Sequence, residues 1–469
     1  MRFPARIIIA FMAVTAMCQA AVAADQTAAV GMPQRWVYTS DQYQTLPAAD
    51  SWWREFDDVV LDSLISRGID NNFNVAIAAR RIEMARQAIR QAKAGYYPQI
   101  GVSAGWTKSR QSGNMASEPT PVEGTSYFSA GIDMAWEVDL FGRITAQVRE
   151  KKAQYQASHA DYVATMNSLC AEIATAYLQL RTYQARLQVA EVHLASQGKV
   201  LDIARVRHET GLNSKLDVAQ ASTIYNSTEA TIPTLEAEIA TSINAIALLL
   251  GEYPEAVIPM LATVQPLPDY RRIVATGVPL DLLRRRPDVM AAEYDMAAAA
   301  AAAGIAKKDF LPTLSISGSV GVAAHRPGDL FEHRSLTYAI APKLSWTIFD
   351  GMARNAAQAS ARQNMEMAVE SYNLTLMTAV QEVDNAMVAY TGQLKAIASL
   401  EKVVEQAQEE MTLSLDLYKQ GLEGFLSVAQ AQITFLQYAD ELTAARGNAA
   451  VCLVRLYKAL GGGWSPMAG

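Results

Sequence analysis

Apolar residues alternate with small or polar residues in four segments of the chain, and this period of two is typical of β-strands. The apolar positions fall within residues 100–106, 128–138, 314–322 and 338–348. The expected strands are about 10 to 13 residues long, whereas strands in soluble sheets average about five or six. Two interpretations are open: a half-buried soluble sheet, or tilted membrane strands whose apolar faces meet lipid and whose polar faces line water.

Aromatic residues near the strand ends favour the membrane interpretation, because such side chains anchor proteins at the membrane surface. They are Trp106, Trp136, Tyr338 and Trp346. The connections 109–125 and 324–336 are polar and rich in Gly, Pro and Ser, so we expect them to face the cell exterior. His325 and His333 in the second connection lack a third ligand at metal-binding spacing, and we expect them to be solvated.

Apolar residues spaced alternately by four and three positions predict two very long helices, at 143–208 and 353–419. No proline interrupts either segment, and each helix would be about 100 Å long. The 3.5-residue period predicts left-handed supercoiling against neighbouring helices. A short turn and a return helix follow each one, at 214–250 and 426–460. The sequence therefore predicts two long antiparallel helical hairpins.

One short motif occurs twice, as GLNSKLDVAQA at 211–221 and as GLEGFLSVAQA at 421–431, about 210 residues apart. A shorter helix precedes each pair of strands, at 59–95 and from Pro287 to Phe310. Each half of the chain therefore runs helix, strand, strand, long helix, turn, helix. The expected fold class is mostly α with a membrane β-barrel, four strands per chain and an internal two-fold repeat.

The N-terminus reads as a cleaved secretory signal peptide, because two arginines and the apolar run 7–17 precede the small residues 21–23. The alternative is lipidation at Cys18, although Met17 and Thr15 are not the residues that a lipid-attachment site prefers before its cysteine. The predicted segments are a signal peptide 1–23, an N-terminal periplasmic segment 24–57, a first repeat 58–251, a linker 252–278, a second repeat 279–461 and a C-terminal tail 462–469.

Composition excludes several classes of function. The net charge of −7 comes without any long run of Lys or Arg, so no nucleic-acid partner is expected. After the N-terminus no apolar run reaches the 18 or more residues that a membrane helix needs. The five histidines are scattered and no catalytic, phosphate-binding or metal-binding motif occurs, so we expect neither an enzyme nor a cofactor.

Two polar features leave alternatives open. The cluster 284–288, RRRPD, is interpreted as the start of a helix with solvated arginines, and a role in assembly contacts is the alternative. Cys170 and Cys452 do not make a disulfide framework, and the sequence does not show whether they pair.

Several motifs together resemble the outer-membrane efflux factors, the TolC-like channels, and within them the OprM/NodT-like branch that serves resistance-nodulation-division pumps. The resemblance covers nearly the whole chain after the signal peptide, and LLRRRPD followed by AAE is its most specific part. The matching stretches are SWWREFDDVVLDSLI at 51–65, WEVDLFGR at 136–143, GLNSKLDVAQA at 211–221, DLLRRRPDVMAAE at 281–293 and AKKDFLPTLSISGS at 306–319.

This resemblance implies a homotrimer in the outer membrane, in which a 12-stranded β-barrel continues as a long periplasmic α-helical barrel. It implies a passive exit duct for small molecules such as drugs, working with a periplasmic adaptor protein and an inner-membrane pump of the resistance-nodulation-division type. The need for a closed barrel supports the homotrimer, since four strands from one chain cannot close a barrel within lipid. The rival interpretation is a secreted or periplasmic coiled-coil scaffold or adhesin without a transport role.

The hairpin tips are the candidate site for the adaptor. Gly211 and Gly421 are expected to end the long helices in the left-handed conformation. The leucines beside them have little core to enter, which favours a contact surface. The candidate contacts are Leu212, Leu216, Leu422 and Leu426, with Ser214 as a polar one.

The resemblance also implies a closed periplasmic aperture near the second tip, with Asp416, Glu423, Leu426 and Gln430 as its candidate residues. In the OprM-like branch an aspartate usually stands at the position of Gln430 and an arginine at that of Leu417. Neither charge is present here, so an apolar ring of Leu426 backed by Gln430 is expected instead. Asp416 and Glu423 either form rings that attract cations or face bulk water.

Overall fold

The computed structural model describes residues 36–37, 43–44, 51–110, 112, 124–271, 274–275 and 285–462. The predicted signal peptide with Cys18, most of the first outer connection, residues 281–284 and residues 463–469 lie outside the described residues. The helices are α1 (Val59–Asn71), α2 (Phe73–Ala94), α3 (Arg143–Glu209), α4 (Lys215–Leu250), α5 (Pro254–Leu261), α6 (Pro287–Lys308), α7 (Ala353–Gln420) and α8 (Phe425–Ala459). The strands are β1 (Tyr43–Gln44), β2 (Gln99–Ser109), β3 (Thr125–Val138), β4 (Val274–Ala275), β5 (Thr313–Ala324) and β6 (Leu336–Ser345).

The two predicted helical hairpins are present. Helix α3 has 67 residues and α7 has 68, and each packs against its return helix, α4 or α8. Helix α8 also packs along α3, so the two hairpins of one chain lie side by side. An aspartate shortly before each long helix bonds to its first turn: Asp139 accepts backbone N–H bonds from Ile144 and Thr145 at 2.9 Å, and Asp350 accepts one from Arg354 at 3.2 Å.

The four long strands form one antiparallel sheet in the order β2-β3-β5-β6. The outer edges of this sheet belong to β2 and β6, whose second neighbours would have to come from other chains. At 10 to 14 residues the strands exceed the usual length in soluble sheets. The fold class expected from the sequence, mostly helical with four strands per chain and an internal repeat, is confirmed.

The helix expected as one piece at 59–95 is broken at Asn72, and that prediction was wrong. Asn72 is extended, with φ −66° and ψ 129°, and its side-chain oxygen accepts amide bonds from Asn74 and Val75 at the start of α2. Its side-chain nitrogen donates to the carbonyl of Leu249 at 2.8 Å. A capping residue with a long-range partner therefore ends α1, and it aligns α2 with the end of α4.

The matching position in the second repeat is Arg286, and the expectation of a solvated arginine there was also wrong. Arg286 precedes α6, is 7% exposed and forms ion pairs with Asp288 at 2.7 Å and Glu382 at 2.6 Å. Its Nη1 donates to the carbonyl of Ala459 at 2.9 Å, at the end of α8. Asn72 and Arg286 therefore play equivalent structural roles in the two repeats. Asn72 bonds the start of α2 to the end of α4, and Arg286 bonds the start of α6 to the end of α8.

The main apolar cluster lies where the short helices meet the long ones. Trp52 is 1% exposed and its ring stacks on Tyr457 with centroids 5.4 Å apart. The hydroxyl of Tyr457 donates to Glu55, and the hydroxyl of Tyr177 donates to Asp58 at 2.5 Å. Aromatic packing and these hydroxyl bonds fasten the segment before α1 onto α3 and α8.

The linker between the repeats contains regular structure. Helix α5 lies within the predicted linker 252–278, and β4 pairs in parallel with β1 through two residues on each strand. By length and composition, two described helices, α4 and α6, are apolar enough to cross a membrane, which a search for uninterrupted apolar runs missed. Both pack along α3, and average apolarity is weak evidence of insertion for helices in such contact.

Candidate functional site: the hairpin tips and the sheet

Both hairpins turn through the same backbone motif, as the repeated sequence predicts. Gly211 and Gly421 have φ angles of 75° and 77°, a region in which a side chain is costly. In each tip the residue after the glycine donates its amide to the carbonyl five positions earlier, at 2.8 and 3.0 Å. These bonds satisfy the last carbonyls of α3 and α7 and return the chain at once.

Four leucines surround these turns, and their side chains point into solvent in the single chain. Their exposed fractions are 67% for Leu212, 63% for Leu216, 70% for Leu422 and 69% for Leu426. Ser214 is also exposed and donates its hydroxyl to Asp217 at 2.9 Å, at the start of α4. The two tips therefore present matched apolar side chains at the end of the molecule farthest along the hairpins from the sheet.

Just behind the tips, the two hairpins share a small apolar cluster, which we call the lower cluster. Its buried members come from all four hairpin helices: Val200, Leu201, Ala204, Ala221, Ile224, Tyr418, Phe425, Val428 and Ala429. Phe425 is 3% exposed and its ring meets Tyr418 edge-on at 5.5 Å. The exposed Leu426 and the buried Phe425 are adjacent, so the start of α8 has one face inward and one outward.

A polar contact that sequence reasoning missed ties the tips to each other. The guanidinium of Arg207 lies 4.8 Å from the ring centroid of Tyr418 and donates to the carbonyl of Lys419 at 3.1 Å. The side-chain nitrogen of Asn213 donates to the hydroxyl of Tyr418 at 2.9 Å. The repeat aligns Arg207 with Leu417, but no sequence signal shows that its side chain crosses to the other hairpin.

The expected aperture residues make short-range contacts within the chain. Asp416 is paired with Lys419 at 3.3 Å, so its charge is partly offset, which the sequence did not indicate. Glu423 accepts a bond from Ser427 at 2.7 Å at the start of α8. Leu426 and Gln430 are four positions apart on α8 and share a face, and both are exposed in the single chain.

The sheet has two chemically different faces. One carries the alternating apolar residues, and Ile100, Val102 and Ile340 on it are 70%, 84% and 77% exposed. The other carries small and polar residues, among them Ser103, whose hydroxyl donates to Asp133 on the neighbouring strand at 2.6 Å. An apolar face this exposed on a sheet with polar residues opposite is the pattern of a membrane barrel.

The four aromatic residues expected at the membrane surfaces, Trp106, Trp136, Tyr338 and Trp346, lie at two levels of the sheet. Trp136 and Trp346 lie at the end near the helices, where their indole nitrogens donate to the carbonyls of Tyr96 at 3.1 Å and Phe310 at 2.9 Å. Trp346 follows the last residue of β6, so the strand expected to reach residue 348 is shorter than predicted. Strand β6 ends there because the indole of Trp346 bonds to the carbonyl of Phe310 and the chain then turns into α7.

Trp106 and Tyr338 lie toward the outer ends of β2 and β6. They are 59% and 78% exposed, and Trp106 packs against Phe128 at 6.4 Å. The two levels lie on the same apolar face, because all four residues fall on the parity of Ile100 and Ile340 in the strand register.

The described residues contain no group of three His, Cys, Asp or Glu side chains able to hold a metal ion. His325 instead hydrogen-bonds to the carbonyl of Ser126 at 2.7 Å. Cys170 and Cys452 are free and buried, and burial raises the pKa of the Cys170 thiol to about 12. Their thiols are therefore poorly suited to act as nucleophiles.

Comparison with known proteins gives a consistent result. The model of the family described as outer membrane efflux protein matches residues 64–252 and 278–462. Nodulation protein T of Rhizobium leguminosarum bv. viciae is 30% identical over 438 residues, which cover 92% of this chain and 88% of that protein. The toluene efflux pump outer membrane protein TtgF of Pseudomonas putida is 30% identical over 423 residues, 90% of this chain and 87% of that protein.

The solved outer-membrane channel OprN has the same fold. It superimposes with a TM-score of 0.86 at 29% sequence identity, and the match covers 94% of this chain and all of the OprN chain. The agreement includes both the strands and the long hairpins, because so little of either chain is left unmatched.

Proposed function

We infer, since this chain belongs to the outer membrane efflux protein family, that its repeated tips receive a periplasmic adaptor protein. The protein is the outer-membrane channel of a tripartite efflux pump, with a periplasmic extension built from the helical hairpins. The adaptor, an inner-membrane pump of the resistance-nodulation-division type and a small-molecule cargo belong to the proposal. The scaffold or adhesin alternative is set aside, because the family consists of export channels.

The sheet supports assembly into a closed barrel. Strands β2 and β6 each have one unpaired edge, and an unpaired edge within lipid leaves backbone groups without partners. Two chains of four strands would give a barrel of about eight, whose interior is filled by side chains. Three chains give twelve strands around a water-filled lumen, with the face of Ser103 and Asp133 inward and the belts of Trp106, Tyr338, Trp136 and Trp346 at the lipid surfaces.

The exposed leucines support adaptor docking. Two matched tips per chain give six nearly equivalent sites in a trimer, which suits a ring of partner molecules. Leu212 and Leu422 occupy equivalent positions after Gly211 and Gly421, so each adaptor meets a similar apolar surface. Burial of two leucines at each pair of tips would contribute about 3 to 6 kcal/mol before the costs of association.

A resting aperture is proposed at the second tip, where Leu426 and Gln430 share a face of α8. Three copies would form an apolar ring backed by neutral amides. Glu423 accepts a bond from the neutral hydroxyl of Ser427, whereas Asp416 is paired with the cation of Lys419, so cation preference at the aperture should depend more on Glu423. The channel itself supplies no energy in this arrangement, and the pump drives export.

The deciding experiment replaces Leu212 and Leu422 by aspartate in the same chain. Neither side chain contributes to the lower cluster, so the trimer should form normally while efflux in cells and adaptor capture by the purified channel are both lost. The matched control replaces both by methionine, which keeps the surface apolar and should retain both activities. Full drug resistance with the double aspartate variant would show that the adaptor docks elsewhere.

A further inference from the structure

The lipid-facing side of the sheet ends in positive charge at its outer edge. On β2 the lipid-facing positions run from Ile100 through Trp106 to Lys108, and Arg110 follows on the same side of the strand. Lys108 is the charged residue among the lipid-facing positions of the four described strands, because those of β3, β5 and β6 hold apolar residues, glycine or serine. A charge that faces hydrocarbon is costly, so this lysine belongs at the level of the lipid headgroups.

A third cation, from the second repeat, stands beside these two. Strand β5 ends at Ala324, and Arg326 is the next residue on its lipid-facing side, with an extended backbone at φ −121° and ψ 140°. His325 between them hydrogen-bonds to the carbonyl of Ser126 at 2.7 Å, which keeps this part of the chain alongside β3. Lys108 lies opposite Ser126 on the other flank of β3. Two strand spacings therefore separate Lys108 from Arg326, which places their Cα atoms about 10 Å apart.

The strand between the cations carries small residues, which leaves room for a ligand. Ser126 lies opposite Lys108, and Gly124 lies two positions farther out on the same side. A Cβ added at Gly124 would be 3.9 Å from the Cβ of Arg110, so these two positions also face the same way. Lys108, Arg110 and Arg326 therefore surround one serine and one glycine, and we call these three cations the basic rim.

Neighbouring side chains do not neutralise the basic rim in the part of the chain that the structure describes. No described carboxylate forms an ion pair with Lys108, Arg110 or Arg326, whereas Arg334 in the same outer connection is paired with Glu332 at 2.8 Å. Assembly leaves this face open, because closure of the barrel adds strands at the edges of the sheet and not over its lipid-facing side. The rim therefore offers three cations to an anion that comes from the membrane.

The height of the basic rim matches the headgroups of the outer leaflet. Ser126 at its centre stands ten residues from Trp136, which lies at the inner membrane surface. Ten residues span about 34 Å along a strand, or about 26 Å across the membrane at a tilt of about 40°. The apolar band of membrane barrels is about 25 Å tall, so the rim lies at its outer limit. At the inner limit the lipid-facing positions are apolar instead, as at Val138 and Leu314.

We propose that the basic rim binds phosphate groups of the anionic glycolipid that forms the outer leaflet of the outer membrane. Phosphate oxygens accept charge-assisted hydrogen bonds from ammonium and guanidinium groups, and one arginine can hold a phosphate through two parallel bonds. The cations stand at the outer end of the described sheet, which favours this glycolipid over the phospholipids of the inner leaflet. A trimer carries three such sites. The inference rests on the closed barrel of the proposed function and is independent of adaptor docking.

Titration of the detergent-solubilised trimer with diphosphorylated lipid A, the membrane anchor of that glycolipid, tests the site by native mass spectrometry. The wild-type trimer should bind this lipid about tenfold or more tightly than the same lipid with its phosphates removed. Lys108→Gln combined with Arg110→Gln and Arg326→Gln should weaken binding of the phosphorylated lipid about 100-fold, the sum expected for three cations at a membrane surface. Equal wild-type affinity for the two lipids would overturn the proposal, and that comparison does not depend on the folding of any variant.

A matched control removes the same number of charges from other surfaces. Lys343→Gln combined with Arg86→Gln and Arg362→Gln neutralises one lumen-facing cation and two exposed cations of the helices, and it should keep the wild-type affinity. An equal loss in this control would show general charge attraction and refute the site. Neither phosphatidylglycerol nor inorganic phosphate should displace the bound lipid A, and displacement by either would refute the assignment to the glycolipid. Adaptor capture should be normal in both triple variants, so the two proposals fail separately.

Discussion

Phe425 and Leu426 stand next to each other at the start of α8 and should respond to truncation in opposite ways. Phe425 is 3% exposed in the lower cluster, whereas Leu426 is 69% exposed. Phe425→Ala therefore removes a side chain that holds the two hairpins together. Leu426→Ala removes one that contacts no buried cluster of its own chain.

The size of the Phe425 effect follows from its burial. A phenylalanine buries about 150 to 250 Å², and at about 25 cal/mol per Å² this gives an upper limit of about 4 to 6 kcal/mol. Measured replacements of buried phenylalanine by alanine cost about 3 to 5 kcal/mol. The lower cluster is small and lies near the hairpin ends, where neighbours can relax into the space, so we expect about 3 kcal/mol.

Hydrogen exchange of the purified trimer measures this loss directly. A cost of about 3 kcal/mol should speed exchange about 100-fold in the lower cluster, at 200–206, 413–420 and 425–432. Amides around Trp52 in the main cluster should be unaffected. The Leu426→Ala control should leave exchange within about twofold of wild type but raise the resting conductance in a planar bilayer. If Phe425→Ala changes exchange by less than about threefold, the lower cluster does not hold the tips.

Other positions give smaller effects. Burial lowers the pKa of His193 below 6.5, so the unfolded chain binds a proton that the folded chain does not. The free energy of unfolding should therefore be highest above pH 6.5 and should decline as the pH falls towards the lowered pKa. In thermal melts, His193→Gln should remove this decline. Trp136→Phe deletes the hydrogen bond to the carbonyl of Tyr96 and should lower the free energy of unfolding in urea by about 1 kcal/mol. An unchanged free energy would show that this bond does not stabilise the fold. Gly421→Ala should cost about 1 kcal/mol and Gly328→Ala almost nothing, because Gly421 has a positive φ, whereas Gly328 does not and lies in open space; equal midpoints would contradict this.

The regular elements were predictable because they depend on local spacing. The long helices were expected at 143–208 and 353–419, and their observed ends differ by one residue. The glycines at both tips were also readable, since a left-handed residue at a helix end is chosen mainly by its own backbone. The repeat doubled this information, because the same elements recur about 210 positions later.

The two wrong predictions, a continuous helix through Asn72 and a solvated Arg286, have a common cause. The break at Asn72 is stabilised by the carbonyl of Leu249, which is 177 positions away. Burial of Arg286 depends on the end of α8, 173 positions later in the chain. A side chain that caps one helix while bonding to another gives no periodic signal, so the sequence showed a continuous helix and a solvated arginine.

The sequence by itself determined the two long hairpins and the four long strands, where each hairpin turns and which leucines stand at the tips. Tertiary structure alone decided which faces meet. Arg207 reaches Tyr418, and His193 packs against Phe435, because two hairpins far apart in sequence pack side by side. Spacing of three or four residues fixes the face of one helix, but the partner of that face depends on the packing of the whole chain.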